Sequence, residues 1–474
     1  VGNLQARIDT KCGMLCGLAM DGSELLATPL VPNFWRPPTD NDYGANLQTY
    51  FALWRNAGPD ATLQGELDIS PGPEAIVVKA TLAIGAAGAM LTVTYTISAN
   101  GVRVAAQFRP APKEEGAAVA LSGGVAYLRS VDKDHHIDVE QGVAGKTVRA
   151  RWKDQGEWQA ITIHAGSKAP GAPISSGDMV ALQATTGKTE AELLVHGLVP
   201  VLEPGGRTCV GVTGVRVEAT GAPQAPVWKV RRIAGDGDVR SGDEVVLEAD
   251  GRHLAVDGEG WAAAVESTAS PPKWVIELKE RAAPPRVGFQ GALQEGFQDV
   301  QWFGRGPHEA YLDRFASARV GLFHGTIAEQ TFKYVRPQEN GNKFETRWMA
   351  LKRAAGGGLL ISAATPSPTL SMQCHRYALS DFDGPEDKTR QSCRHGGELV
   401  EQAETAFCVD AAMIGLGGID SWGNKPLPQH MIRSDEQFDW AFHLRPLSKE
   451  QTEAEARGIV FSALARTPLV GNDA

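Results

Sequence analysis

Long apolar runs are missing from this 474-residue chain. None approaches the roughly 18 residues of a membrane span, so no membrane partner is expected. Positive charge is also in short supply. Lys and Arg number 46 against 56 Asp and Glu, a formal net charge of −10, which argues against nucleic acid or an anionic membrane surface as a partner. Cysteine is sparse: Cys12, Cys16, Cys209, Cys374, Cys393 and Cys408 are too few and too scattered for a disulfide framework. Cys12 and Cys16 lie close together, but no second close pair or His pair completes a zinc site. Reduced, mostly buried thiols are the expectation. The histidines are dispersed, and no Ser/His/Asp or Cys/His arrangement can be read from spacing. Nothing like a signal peptide follows Val1, and Val1 is not an initiator residue, which fits a piece of a longer chain.

What the chain does have is turns. With 53 Gly and 28 Pro, many short strands are favoured over long helices. "MLTVTYTISANGVRVAAQF" (90–108) alternates apolar and polar residues around Ala-Asn-Gly, a hairpin pattern with Asn-Gly at the turn. "AGGGLLISAA", "TAFCVDAAMIG" and "FDWAFHLRPL" read as further strands. Helix is expected in two places. "NLQTYFALWRNAG" (46–58) spaces Leu47, Tyr50, Phe51 and Trp54 for one helix ending on a glycine stop. "LSKEQTEAEA" opens with a capping-box pair, Ser448 and Gln451.

The middle of the chain repeats itself. "SGGVAYLRS" (122–130), "SGDMVALQA" (176–184) and "SGDEVVLEA" (241–249) are three versions of a turn followed by a strand. Each is followed by a tryptophan that begins another alternating stretch, at Trp158, Trp228 and Trp274. Hairpin turns are expected at Asp250-Gly251 and Asp257-Gly258. Three degenerate copies of about fifty residues must pack around a shared axis, because none closes a core alone. The pattern resembles a β-trefoil of the fascin type, and the ricin-type sugar-binding signature is not evident. The three tryptophans are expected to fill its core rather than to bind ligand. The module is placed at 113–283, between the linkers "APKEEG" and "ERAAPP". The flanking halves, 1–112 and 284–449, are expected to form one discontinuous all-β domain, with 450–474 as a C-terminal tail.

Four polar loops are the candidates for chemistry. "RPPTDNDYG" (36–44) crowds Asp40, Asn41 and Asp42 behind two prolines, a cluster suited to capping, to a cation or to sugar hydroxyls. "FGRGPHEAYLDR" (303–314) has a glycine pattern without the βαβ context of a dinucleotide site. Its Glu309 and Asp313 are a conceivable acid/base pair, but Arg305 and Arg314 nearby favour structural ion pairs. "PQENGNKFETRW" (337–348) carries Glu339 and Asn340, again read as scaffold. "GLGGIDSWG" (415–423) sets one tryptophan, Trp422, among glycines. Taken alone, that tryptophan either plugs its own core or stands out as an exposed platform. These are loops suited to carbohydrate, with no self-sufficient catalytic apparatus.

The order "PNFWRPPTDNDYG", "WFGRGPHEAYLDR", "YVRPQENGNKFETRW", "GLGGIDSWG" resembles the C-terminal, small-chain domain of the β-galactosidases of glycoside hydrolase family 2. The resemblance covers 1–112 and 284–449 and omits 113–283. It implies a galactose-mutarotase-like β-supersandwich, interrupted by the inserted trefoil, that packs against a TIM-barrel catalytic domain and completes its galactoside pocket. It also implies that the two catalytic glutamates of this retaining family and the assisting Mg²⁺ belong to the barrel. No catalytic residue, metal or cofactor is then expected in this chain. From the motif Gly417, Gly418, Asp420, Ser421, Trp422, the resemblance implies that Trp422 forms the apolar platform for the sugar, with Asp420 and Ser421 beside it. Asp40, Asn41, Asp42 and Gly44 match a segment at the pocket edge and the barrel contact. A stand-alone carbohydrate-binding protein and a mutarotase-like aldose epimerase are the competing readings.

Overall fold

A computed structural model describes residues 3–45, 47–111, 282–383, 395–420, 424–455, 459–467 and 469. Between them it describes 124–138, 149–152, 161–165, 173–185, 194–202, 208–216, 228–236, 238–239, 243–249, 252–256, 262–266 and 270–278. The chain divides into two compact units, one of residues 1–112 with 281–474 and the other of residues 113–280.

The first unit is an all-β sandwich held by strand pairing between distant parts of the chain. Its larger sheet has ten antiparallel strands. Arg319–Thr326 forms one edge, followed by Phe297–Gly306, Trp348–Arg353, Gly358–Ala364, Phe438–Leu447, Gly101–Arg109, Ala89–Ser98 and Ala75–Ile84, with two short strands against the last. The register Phe438↔Phe108 to Leu444↔Val102 joins the two ends of the sequence into one sheet. A five-stranded sheet runs Lys343–Thr346, Leu370–His375, Thr405–Met413, Arg286–Leu293, Val31–Asn33. The core forms where the two sheets face each other. There Phe289 of the small sheet packs 5.8 Å from Trp440 and 5.9 Å from Phe442 of the large one. Centroid separations in that range suit tilted and edge-on aromatic contacts.

The strands expected from alternation at 358–364, 405–413 and 438–447 are present. The hairpin near Asn100 forms one residue earlier than the Asn-Gly pattern implies. Ser98 pairs with Gly101, so Ala99 and Asn100 make the turn. Gly101 has φ 149°, and the Leu444 carbonyl stands where a side chain would begin, which is why glycine is needed there.

The single helix expected over 46–58 is instead two short turns, Leu47–Tyr50 and the 3₁₀ turn Ala52–Trp54. Tertiary packing overrides the helical spacing here. Leu47, Phe51 and Trp54 are all buried. Trp54 packs on Phe34 and Phe108, and its Nε1 donates to the Ala282 carbonyl at 2.6 Å. The helix Lys449–Glu453 does start at the Ser448–Gln451 capping box. Beyond it the chain is no mere tail: Phe461, on the helix Ile459–Arg466, packs edge-on against Trp348 on the outer side of the large sheet.

The second unit is built of short antiparallel strands. Those following the three turn motifs are Gly124–Ser130, Met179–Thr185 and Glu244–Ala249. Leu128, Leu182 and Leu247, at the same position in each copy, line one apolar cavity together with Ile163, Ile174, Val180, Val230 and Ile276. Trp228 and Trp274 are buried in the surrounding core, and Trp274 Nε1 donates to the Leu254 carbonyl at 2.8 Å. Trp158, Asp250-Gly251 and Asp257-Gly258 lie outside the described residues.

Candidate functional site

The five-stranded sheet has two unlike faces. Val287, Phe289, Met372, Cys374, Phe407 and Val409 point into the sandwich core. The other face carries Asn33, Arg286, Gln373, His375, Cys408 and Asp410, all buried. A buried polar face must be internally satisfied, because unpaired charge there is costly. Arg286 is the hub of that satisfaction. Its Nη2 donates to Glu339 Oε2 at 2.9 Å and to Gln373 Oε1 at 3.2 Å, and its Nε lies 3.4 Å from Asp410 Oδ2. One cation therefore serves two carboxylates, none of the three exposed. Burial pushes both acids up, Glu339 above its usual range and Asp410 to about 7, while Arg286 pulls both back. Burial likewise pushes His375 down to about 3, leaving a neutral ring that meets Thr331 Oγ1 at 2.8 Å through Nδ1. On the core side, Lys343 is buried with Nζ 4.8 Å over the Trp302 ring, and burial lowers it to about 8.

The 337–348 loop reaches this face through Glu339, and the described parts of the four motif loops are stitched to one another. Ala310 and Asn342 exchange backbone and side-chain bonds at 2.8 Å. Glu309 accepts from Arg314 Nη1 at 2.6 Å, from the Gly341 amide at 2.8 Å and from the Tyr334 hydroxyl. Both its oxygens are thus engaged by the scaffold. Asp313 is spent elsewhere, on the amides of Leu416 and Gly417 at 2.9 Å each. The two carboxylates therefore serve different loops. Glu339 is equally committed, to Arg286.

The Asp-Asn-Asp cluster splits by role. Asp42 is buried and closes the helix Asp40–Gly44 through a capping box with Thr39. It also takes both hydrogen bonds of Arg36 Nη2, at 2.7 and 2.8 Å. Of the four residues expected on a pocket-edge or barrel-contact loop, Asp42 thus has its carboxylate buried against Arg36. Asp40, Asn41 and Gly44 are exposed. Asp40 meets Arg336 Nη1 at 3.3 Å, and its amide donates to Gln338 at 3.2 Å. Asn41 Nδ2 donates to the Leu416 carbonyl at 3.2 Å. Tyr43, half-buried with Arg336 4.9 Å over its ring, is pushed up to about 12 by burial.

The glycine loop emerges from the core in steps. Met413 to Gly415 are buried, Leu416 and Gly417 half-buried, and Gly418 to Asp420 exposed. Asp420 is tied to Asn424 by a side-chain hydrogen bond. Ser421 and Trp422 lie outside the described residues. Among the described residues, no three His, Cys, Asp or Glu side chains gather to hold a metal ion.

Arg36, Arg286 and Asp410 are central here and were not picked out from the sequence. The signal was a charged residue inside an apolar strand, as in "RVGFQG" and "FCVDAAM", placed on the face opposite the core.

A family model described as "Beta galactosidase small chain" matches residues 1–143 and 248–444, well over half of the chain. A β-galactosidase of Priestia megaterium is 29% identical over 183 residues, which is 39% of this chain and 16% of that protein. One from Vibrio cholerae is 33% identical over 148 residues, 31% of this chain and 13% of that protein. The chain thus spans about one-seventh of the length of such relatives. Among solved structures, an SDF2-like protein from Arabidopsis thaliana covers 34% of this chain with a TM-score of 0.26 and 12% identity, a likeness too slight to bear on the fold.

Proposed function

The chain belongs to the beta galactosidase small chain family, and from that premise we propose that it is the C-terminal part or small subunit of a retaining β-galactosidase. It completes the sugar pocket of a TIM-barrel catalytic domain outside this chain, and the complete enzyme hydrolyses terminal β-D-galactosides such as lactose. The nucleophile, the acid/base and the Mg²⁺ belong to that barrel, so this chain alone is inactive. The supporting observation is how three of the four loops use their carboxylates. Glu309, Asp313, Glu339 and Asp42 are each consumed in holding a loop or a buried cation, which suits a wall that presents shape rather than one that moves protons.

In this reading Trp422 covers the C–H-rich face of the sugar, with Asp420 and Ser421 beside it. An indole buries such a face at low conformational-entropy cost. Asp40, Asn41 and Gly44 form the exposed rim toward the barrel, supported from within by Asp42. The sandwich is a β-supersandwich interrupted by a β-trefoil. The equivalent placement of Leu128, Leu182 and Leu247 around one cavity supports the trefoil assignment.

The test is Trp422→Ala in the complete enzyme. It should lower kcat/KM for a chromogenic galactoside about tenfold, the equivalent of losing one well-packed aromatic contact. Trp422→Phe should recover part of the loss. An unchanged kcat/KM in Trp422→Ala would remove Trp422 from the pocket.

A further inference from the structure

We propose that the outer edge of the ten-stranded sheet, the strand Arg319–Thr326, is an interface through which two copies of this chain pair antiparallel about a twofold axis at Leu322. The strand ends the sheet, and on its inner side it pairs one for one with Gly306–Asp299. Bonds nearby fix which of its backbone groups point outward. The Phe303 carbonyl, opposite Leu322, accepts from the Arg347 amide and so faces away from this strand. The Ile327 amide, by contrast, donates inward to the Gln298 carbonyl at 2.8 Å. Direction alternates along an antiparallel ladder, so Val320, Leu322, His324 and Thr326 turn both N–H and C=O out of the sheet. At Thr326 side chains answer both groups: the amide donates to Glu329 Oε2 and the carbonyl accepts from Gln330 Nε2, each at 2.8 Å. Ahead of the strand, the Ala318 carbonyl accepts from Arg305 Nη1 at 2.9 Å. Between these two stops Val320, Leu322 and His324 are exposed. Their three amides and three carbonyls form a straight free edge. No proline, lysine or bulge, the devices that blunt natural edges, interrupts it.

A second copy suits this edge because the strand is complementary to itself. A twofold contact requires that where one residue meets another, the second also meets the first. With the axis at Leu322, Leu322 meets Leu322 and Val320 meets His324, and these pairs use every outward group of both copies. Ala318 and Thr326, already held by side chains, fall opposite each other, so the new ladder ends where those stops begin. On the other face Phe323 meets Gly321 and Arg319 meets Gly325. Each bulky side chain therefore lies against a residue without one, a pairing that covers glycine in sheets. Charge agrees with the same register. No like charges face each other, and Arg319 is exposed. Glu329 Oε2 stands 3.1 Å from where a Gly325 Cβ would be, which is the place the second copy's Arg319 reaches. The inference does not depend on the proposed activity.

Sedimentation and cross-linking of the 474-residue chain test this. The parent should sediment as a dimer that dissociates on dilution. Leu322→Pro separates pairing from folding, because the N–H it removes points outward and serves no bond within the sheet. It should raise the dissociation constant about a hundredfold, two ladder hydrogen bonds being lost on the axis. Cysteine variants read the register with a smaller change. Leu322→Cys should close a disulfide between copies under mild oxidation that the parent, with its own cysteines, does not form, since directly opposed residues lie about 5.5 Å apart at Cα. His324→Cys should not, because its two copies stand roughly 13 Å apart along the ladder. A parent chain that is monomeric at every concentration would overturn the proposal and leave the edge to another strand, such as one from the catalytic portion. A dimer that Leu322→Pro leaves intact would overturn it in favour of another face, and cross-linking through His324→Cys but not Leu322→Cys would overturn the register.

Discussion

Arg286 and Glu339 form an ion pair of 2.9 Å with neither side chain exposed, joining a strand of the small sheet to the "PQENGN" loop above it. With Asp410 at 3.4 Å on the same guanidinium, the cluster carries one positive and up to two negative charges in a buried layer. Such a cluster adds little net stability while intact, but removing one partner leaves the others buried and uncompensated. Arg286→Met should therefore destabilise the sandwich by about 3–5 kcal/mol, measured by thermal or urea unfolding. Asp410→Asn, which relieves the surplus negative charge, should cost far less. An Arg286→Met variant as stable as the parent would contradict the hub assignment.

Lys343 predicts a rise of stability with alkaline pH. Its folded value of about 8 lies below the ordinary 10.5, because burial disfavours the charged amine. Between those two values the unfolded chain holds a proton that the folded chain has released, so stability increases from pH 8 to 10.5. At neutral pH the full cost of the buried charge applies. Lys343→Met should gain on the order of 2 kcal/mol at pH 7, and its advantage over the parent should shrink as pH approaches 10.5.

His375 acts at the other end of the range. Its folded value of about 3 is below the ordinary 6.5. As pH falls through 6.5 the unfolded chain takes up a proton that the fold refuses, and stability declines until pH reaches about 3. His375→Gln should flatten this acid limb, by up to about 1.4 kcal/mol per pH unit. The difference between parent and variant denaturant midpoints from pH 7 to 4 reads it, because Asp410, held up to about 7, contributes with the opposite sign in both chains.

Gly288 tests how tightly the polar face is packed. It sits opposite Asp410 in the ladder, and a Cβ there would collide with Asp410 Oδ1. Gly288→Ala should cost about 1–3 kcal/mol, whereas Ala substitution at the open position Gly397 should leave stability almost unchanged.

How much of this was legible beforehand follows from which forces are local. Alternation marked the strands at 358–364, 405–413 and 438–447 because each turns every second side chain, an apolar one, into the core. The Ser448 cap was legible because capping is a contact across three residues. The helix over 46–58 failed for a non-local reason: Trp54 goes where Phe34 and Phe108 need it. In the site, Asp42 could be read as a cap from its spacing to Thr39, but its pairing with Arg36 and burial could not. The bond from Asp313 to a loop a hundred residues away left no trace in spacing at all.

The most direct test of the central claim is a galactosidase assay of the purified chain, alone and mixed with the catalytic portion of the enzyme. The account predicts no hydrolysis of a chromogenic galactoside by the chain alone and activity once the two are combined. Hydrolysis by the isolated chain would contradict it.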